Sequence, residues 1–294
     1  MDNSTGPRIG IVGLGLMGHG IAANVLRHGY PLTGLEHPGN QPLDDLRAAG
    51  LTTVDGTAAL AGAVDIVLLC LTGTPEVETV LLGRGGVLQG LRPGSVVIDC
   101  STAIPTSTER VAQAVVQAGG RFLDAAMTRT PKEAAEGRLN LLVGGDAALL
   151  AECRPLLACF AENIVHAGPV GAGHRMKLLH NFVSLGCVAL IAEAAACATG
   201  AGVAPEVFLE VLAQGGGGGA ALERLRPWLL EHDASGLRFS VSNALKDLGY
   251  YVRMAEDGQA AGAIAQGVLA TLQGAHAARP DALMPELVEI LARP

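Results

Sequence analysis

The sequence predicts an α/β chain in which a doubly wound parallel sheet is followed by an all-helical domain. Three observations predict it. From Arg8 to about Val143, short β-branched or Leu-rich runs alternate with Ala-rich helical patterns, the form of successive βαβ units. After about Val165 the strand signals stop, and helical patterns joined by Gly, Pro and Asp-Gly breaks take over. Between the first strand and the first helix stands a Gly-rich turn, Gly13-Leu-Gly15-Leu16-Met17-Gly18.

Strands are expected at Ile9–Val12, Leu32–Leu35, Ile66–Leu71, Val96–Asp99, Phe122–Ala125 and Asn140–Val143, with helices between them. A helix from about Gly173 to Ala198 would be roughly 40 Å long, enough to run from one domain into the next. The boundary is therefore placed near Gly168 to Gly171, giving domains of residues 1–168 and 169–294. Gly215 to Gly219 lies between two helices and reads either as a flexible loop or as one facing a substrate.

With 49% apolar and 16% charged residues the chain has ample material for buried cores. A net charge of -8 without Lys/Arg runs, and 3% aromatics, speak against a nucleic-acid surface and for a small-molecule partner. The six cysteines form no CxxC pair and no Cys/His cluster at metal-ligand spacing, so they are expected as reduced core residues with no metal bound. The segment MDNSTGPR shows no basic stretch followed by an apolar one, and no signal peptide is expected. Val183 to Ala192, the most apolar stretch, is shorter than the ~20 residues of a membrane span. A cytoplasmic protein without a membrane partner is expected.

The Gly13/Gly15/Gly18 pattern follows a strand and opens a helix, the context in which it signals a dinucleotide site of the Rossmann type. Gly13 permits the tight turn, Gly15 admits the pyrophosphate to the backbone, and Gly18 lets helix and strand pack closely. Glu36, just after the second strand, stands where an acid binds the adenosine ribose hydroxyls and repels a 2′-phosphate. It favours NAD over NADP, and no arginine occurs in Glu36-His-Pro-Gly-Asn40; the alternative is a solvated loop acid.

Lys177 and Asn181 are i and i+4 on the long helix and project from one face. A lysine ammonium can give a proton to the alkoxide left by hydride transfer, with Asn181 orienting it, and partial burial would lower its pKa. The alternative is a surface lysine. His174 and His180 read as helix-surface or capping residues, and Lys246-Asp247 as a solvated charge pair. Ser101 and Thr102 follow a strand at the edge where such sheets bind ligands, although Thr102 or Thr106 could simply cap the next helix. Thr128, Arg129 and Thr130 follow another strand; an arginine fork there suits a carboxylate, sulfonate or phosphate, or else is a solvated loop residue.

Taken together, Gly13-Leu-Gly-Leu-Met-Gly-His-Gly-Ile-Ala-Ala-Asn24, Asp99-Cys-Ser-Thr102, Gly137-Arg-Leu-Asn-Leu-Leu-Val-Gly-Gly145, Gly171-Ala-Gly with Lys177 and Asn181, and Lys246-Asp-Leu248 resemble the β-hydroxyacid dehydrogenases. That family includes 3-hydroxyisobutyrate dehydrogenase and tartronate semialdehyde reductase, and the resemblance runs from Arg8 to Leu291. It implies a helical domain like that of 6-phosphogluconate dehydrogenase, with Lys177 as acid/base, Asn181 as its partner, and Thr102 and Lys246 near the cofactor. Leu16, Met17, Leu71 and Thr72 belong to the implied cofactor contacts.

Where the family usually reads Asp-Ala-Pro-Val-Ser-Gly-Gly, this chain has Thr128, Arg129 and Thr130, similar to the sulfolactaldehyde reductase branch. A second departure is Leu71-Thr72, where a proline commonly follows the leucine. The expected activity is hydride transfer between NAD, or NADP, and a small anionic 3-hydroxy acid or semialdehyde. Imine reductases share the architecture but usually lack the lysine; a non-catalytic dinucleotide sensor, or a reader of modified chromatin, tends to lose the lysine or add domains. Apolar residues Ile264, Val268, Leu269 and Leu272 are expected on a helix face, and a homodimer or homotetramer with them.

Overall fold

A computed structural model describes residues 6–292; Met1 to Thr5, which begin the segment expected to lack a signal peptide, lie outside the described residues. The chain divides into two compact units between Lys177 and Leu178. The first runs β1 (Ile9–Val12), α1 (Leu16–Arg27), β2 (Leu32–Leu35), α2 (Asp44–Ala48), β3 (Thr52–Val54), α3 (Thr57–Ala63), β4 (Ile66–Leu69), α4 (Thr74–Leu82), α5 (Val87–Gly90), β5 (Val96–Asp99), α6 (Pro105–Gln117), β6 (Arg121–Thr128), α7 (Pro131–Glu136), β7 (Leu139–Gly145), α8 (Ala147–Leu157) and β8 (Ala161–Gly168). These strands form one sheet in the order β3-β2-β1-β4-β5-β6-β7-β8.

The central strands β1, β4 and β5 are buried along their whole length, which is why they read as apolar runs, broken only by Asp99 at the end of β5. Ile9, Ile11 and Leu68 feed one core layer while Val12, Val67 and Leu69 feed another, the two-residue period of a sheet covered on both faces. Ile9 pairs with Leu32 on one side and Ile66 on the other, so strand order reverses beside β1, where such sheets open a crevice for a ligand.

Two strands carry no clear signal in the sequence. β3 and β8 are the two edges, and their exposed, polar-rich positions break the apolar run. The sheet is also not wholly parallel, since β7 runs antiparallel to β6. The link between them, residues 129–138, is too short for the crossover that a parallel pair requires.

The helix α9 (Ala172–Gly200) is ~43 Å long and passes through the division between the units. By length and composition it is apolar enough to cross a membrane, but Leu185, Val188, Ala192 and Ala195 are buried in the helical core. The second unit continues with α10 (Pro205–Gln214), α11 (Ala220–Glu231), α12 (Val241–Asp257), α13 (Ala263–Ala278) and α14 (Leu287–Ala292). Gly215 to Gly219 forms the exposed loop from α10 to α11. On α13 the expected apolar face divides: Ile264 is strongly exposed, whereas Leu272 is buried in the core. All six cysteines are free; Cys70 is partly buried and Cys100, Cys153 and Cys159 are buried, but Cys187 and Cys197 are exposed on α9 rather than in a core.

Candidate functional site

The glycine loop has the shape a dinucleotide needs, for steric reasons that differ at each position. Gly13 has φ +100°, and a Cβ there would come within 2.2 Å of the Cys70 carbonyl oxygen. A Cβ on Gly18 would lie 1.8 Å from the Gly13 carbonyl oxygen, so the helix can approach the strand only with glycine at this place. A Cβ on Gly15 would meet nothing within 4 Å: the loop is open on that side. Gly15 is also the N-cap of α1 and offers no side-chain cap, which leaves the first-turn amides and the positive end of the helix to a phosphate. Leu16 is exposed and Met17 half-buried on that turn. These features fit the pyrophosphate of a dinucleotide.

Asn24 explains why the first helix sits where it does. Its buried amide donates to the carbonyls of Gly20, Ala134 and Ala135, binding α1 to α7. After β2, the Asn40 side chain accepts from the Leu14 amide at 3.3 Å and donates to the Leu35 carbonyl at 2.9 Å, stapling this loop to the glycine loop. Glu36 has its backbone N–H on the Val54 carbonyl and its carboxylate on the Arg47 guanidinium. Arg47 is a residue that sequence reasoning missed: it returns from α2, beyond the segment in which an arginine was sought.

At the ends of β4 and β5, the Leu71 amide donates to the Ser101 hydroxyl at 3.0 Å, so Ser101 ties two neighbouring loops together. Thr102 is half-buried and caps no helix; nor does Thr106, since the N-cap of α6 is Ile104 without a side-chain bond. Cys70, beside this loop, has its thiol pushed up to about 12, mainly by burial.

Behind these loops lies a buried polar cluster. Asp99 accepts from the Ser101 amide at 2.9 Å, and its other oxygen lies 4.0 Å from His174 Nε2, while Thr108 Oγ1 lies 2.7 Å from His174 Nδ1. His174, expected on the helix surface or as a cap, is fully buried, because α9 is enclosed on this side too. Its neighbour Arg175 instead reaches out, with Nη2 2.6 Å from Glu109. Asp124, also buried, accepts from the Gly171 amide at 2.7 Å and the His174 amide at 2.9 Å. It thereby caps the turn that leads to the half-buried Lys177.

Burial raises the Asp99 carboxyl above its usual range, against the opposing pull of His174 and of hydrogen bonds from Ser101. A raised carboxyl favours the folded state while protonated, so stability falls as pH climbs from the unfolded value of about 3.9 through the folded one. Asp99→Asn keeps an acceptor for Ser101 without the charge. Unfolding measured across pH should lose this falling leg in the variant; an unchanged profile would mean that Asp99 does not titrate in this way.

At the end of β6 the expected trio acquires structural partners. Thr128 is buried and accepts from the Asn140 amide at 3.1 Å. Thr130 is the N-cap of α7 in a capping box with Glu133, whose carboxylate accepts from the Thr130 amide at 3.0 Å. Arg129 takes φ +83°, a left-handed conformation unusual for a side-chain-bearing residue, at a place where the resembling family has glycine. Its guanidinium, on an exposed stretch of chain, donates to Glu162 and to the Arg138 carbonyl.

In the helical unit, the buried Asn181 donates to Asp247 at 2.6 Å. His180 Nδ1 is 3.0 Å from the Asn181 side-chain oxygen. Lys246 Nζ is 3.2 Å from the other Asp247 oxygen and 5.7 Å from the centre of the Tyr250 ring. The Lys246–Asp247 pair is therefore not a solvated one, since Asp247 is only 3% exposed.

A doubly wound sheet with a glycine-loop cradle after its first strand, followed by a helical unit, places the chain in the class of dinucleotide-binding α/β proteins. A family model described as the NAD binding domain of 6-phosphogluconate dehydrogenase matches residues 8–168. A second, described as the NAD-binding of NADP-dependent 3-hydroxyisobutyrate dehydrogenase, matches residues 171–287. The chain is 35% identical to an NAD-dependent L-serine dehydrogenase of Pseudomonas aeruginosa, over 75% of this chain and 74% of that protein. It is 30% identical to a 2-(hydroxymethyl)glutarate dehydrogenase of Eubacterium barkeri, over 85% and 83% of the two chains. A crystal structure of 3-hydroxyisobutyrate dehydrogenase from Salmonella typhimurium is 27% identical and superposes with a TM-score of 0.82, covering 96% of this chain and 99% of that one. The chain belongs to the β-hydroxyacid dehydrogenase family, and with it to the NAD(P)-dependent dehydrogenases of hydroxyacids.

Proposed function

We propose that the chain is an NAD-preferring dehydrogenase of a short 3-hydroxy acid, or a reductase of the corresponding semialdehyde, whose far end carries a carboxylate or sulfonate. The observation that carries this reading is the place of Lys177, half-buried on α9 just after the turn capped by Asp124 and one turn before the buried Asn181. A nicotinamide supplies or accepts the hydride when bound. Lys177 gives a proton to the carbonyl oxygen in reduction and takes it from the hydroxyl in oxidation, with Asn181 orienting the group. Glu36 accepts hydrogen bonds from the adenosine ribose. Leu16, Met17, Leu71, Thr72 and Thr102 line the dinucleotide.

Arg129 is the anchor for the substrate anion, and Ser101, Thr128 and Thr130 are its proposed companions in substrate binding; an incoming carboxylate or sulfonate takes the place of Glu162 on the guanidinium fork. The relatives named for L-serine and 2-(hydroxymethyl)glutarate, both small hydroxylated acids, support this substrate class. The exposed apolar residues Val183, Leu190, Val211 and Ile264 of the helical unit support pairing with a second copy, as dimer or tetramer. The free thiols support a reducing, cytoplasmic setting.

The test is loss of NADH absorbance with sulfolactaldehyde, succinic, methylmalonic and tartronate semialdehydes and glyoxylate, and NADH formation with L-serine. Turnover of at least one anionic compound is expected, with KM raised about tenfold or more in Arg129→Ala. Equal turnover of an uncharged aldehyde of the same length would remove Arg129 as the anchor. Silence across the panel, with NADH still bound, would remove the substrate class.

A further inference from the structure

We propose that Arg47 decides how strictly this protein excludes the 2′-phosphate of NADP(H). The inference rests on the reading that Glu36 faces the adenosine ribose, and it adds a second residue, of opposite charge, to that position.

Two independent ties place Arg47 on the rim of the glycine loop. The loop between β2 and α2 is stapled to Leu14 from both sides: the Leu14 amide donates to Asn40 at 3.3 Å and the Gln41 amide donates to the Leu14 carbonyl at 2.8 Å. The helix α2 itself stands beside the first turn of α1, where His19 Nε2 lies 3.1 Å from Asp45. From that helix the Arg47 side chain reaches back through Nη2 to one carboxylate oxygen, Oε1, of Glu36. The Arg47 guanidinium donates to Glu36, and its side chain is 46% exposed.

A lone carboxylate at the ribose would repel a 2′-phosphate outright. With a guanidinium in contact the pair is neutral, and most of the donors of the arginine fork remain available to an oxyanion. Two arrangements then compete. With a 2′-hydroxyl, Arg47 stays on Oε1 and the second Glu36 oxygen accepts from the ribose. With a 2′-phosphate, Arg47 turns to the phosphate, which an exposed and weakly held ion pair permits. The protein therefore prefers NAD(H) without excluding NADP(H), and the residue that keeps NADP(H) admissible is Arg47.

The test is binding, read by titration calorimetry on the full-length protein with NADH, NADPH, ADP and adenosine 2′,5′-bisphosphate; the last two probe the adenosine end without the nicotinamide. Arg47→Ala should weaken NADPH and adenosine 2′,5′-bisphosphate by about tenfold or more, and NADH and ADP by less than about threefold. Glu36→Gln should tighten NADPH by about tenfold, and the double variant should lose that gain. Arg47→Lys, which keeps the charge without the fork, should fall between wild type and Arg47→Ala.

If Arg47→Ala weakens NADH and NADPH alike, or neither, Arg47 is no more than a brace and the inference fails while the Glu36 reading stands. If Glu36→Gln changes neither affinity, the Glu36 reading fails and the inference with it.

Discussion

Lys177→Ala should lower turnover by about 10²- to 10⁴-fold, the range that accompanies loss of a positioned general acid, while leaving the affinity for NADH close to that of wild type. The split follows from where the residue acts. In the proposed mechanism Lys177 meets the oxygen that changes protonation during reaction, so its removal should cost transition-state stabilisation and little ground-state cofactor binding. Lys177→Arg sharpens the test, because an arginine keeps the charge but does not release its proton at accessible pH. It should be nearly as slow as the alanine variant, most clearly in the oxidation direction, where a neutral base is required. Steady-state rates in both directions, with cofactor binding measured separately, decide it; turnover within a few-fold of wild type in either variant would take the lysine out of the mechanism.

Asp124→Ala should destabilise the first unit by about 2 to 4 kcal/mol, from the lost cap and the two buried amide donors left without an acceptor. Both donors, those of Gly171 and His174, lie in the turn that begins α9, at 2.7 and 2.9 Å from the carboxylate. The surroundings are shaped to hold that carboxylate: a Cβ on Gly144 would come 2.5 Å from one of its oxygens, and one on Gly173 2.7 Å from the other. Hydrogen exchange should show the Gly171 and His174 amides losing protection, together with a lower unfolding midpoint. Asp124→Asn, with one acceptor oxygen in place of two, should lie between the two. Unaltered exchange at those amides would show that the turn is held by something else, and would detach Asp124 from the placement of Lys177.

The central sheet was legible because its strands are buried on both faces. β1, β4 and most of β5 show as apolar runs, and the glycine loop as a strand followed at once by Gly13, Gly15 and Gly18. β3 and β8 were not legible, since an edge strand need not alternate or exclude polar residues. The site divides in the same way. Lys177 and Asn181 stand out by type and spacing within one helix. Asp124 acts on partners 47 and 50 residues away, and Arg47 on an acid of a different element, so neither role has a local signature. His174 was placed on the surface because α9 carries apolar residues on most of its faces, and periodicity then fails to show which side is enclosed.

The left-handed backbone of Arg129 has a consequence for how this protein responds to selection. A side-chain-bearing residue at φ +83° stores on the order of 1 to 3 kcal/mol of conformational strain, which glycine would release. Any programme that rewards heat resistance alone will drift toward glycine at position 129, and will discard the guanidinium as it does so. On the proposed reading of Arg129 as an anion anchor, robustness and recognition pull this position in opposite directions.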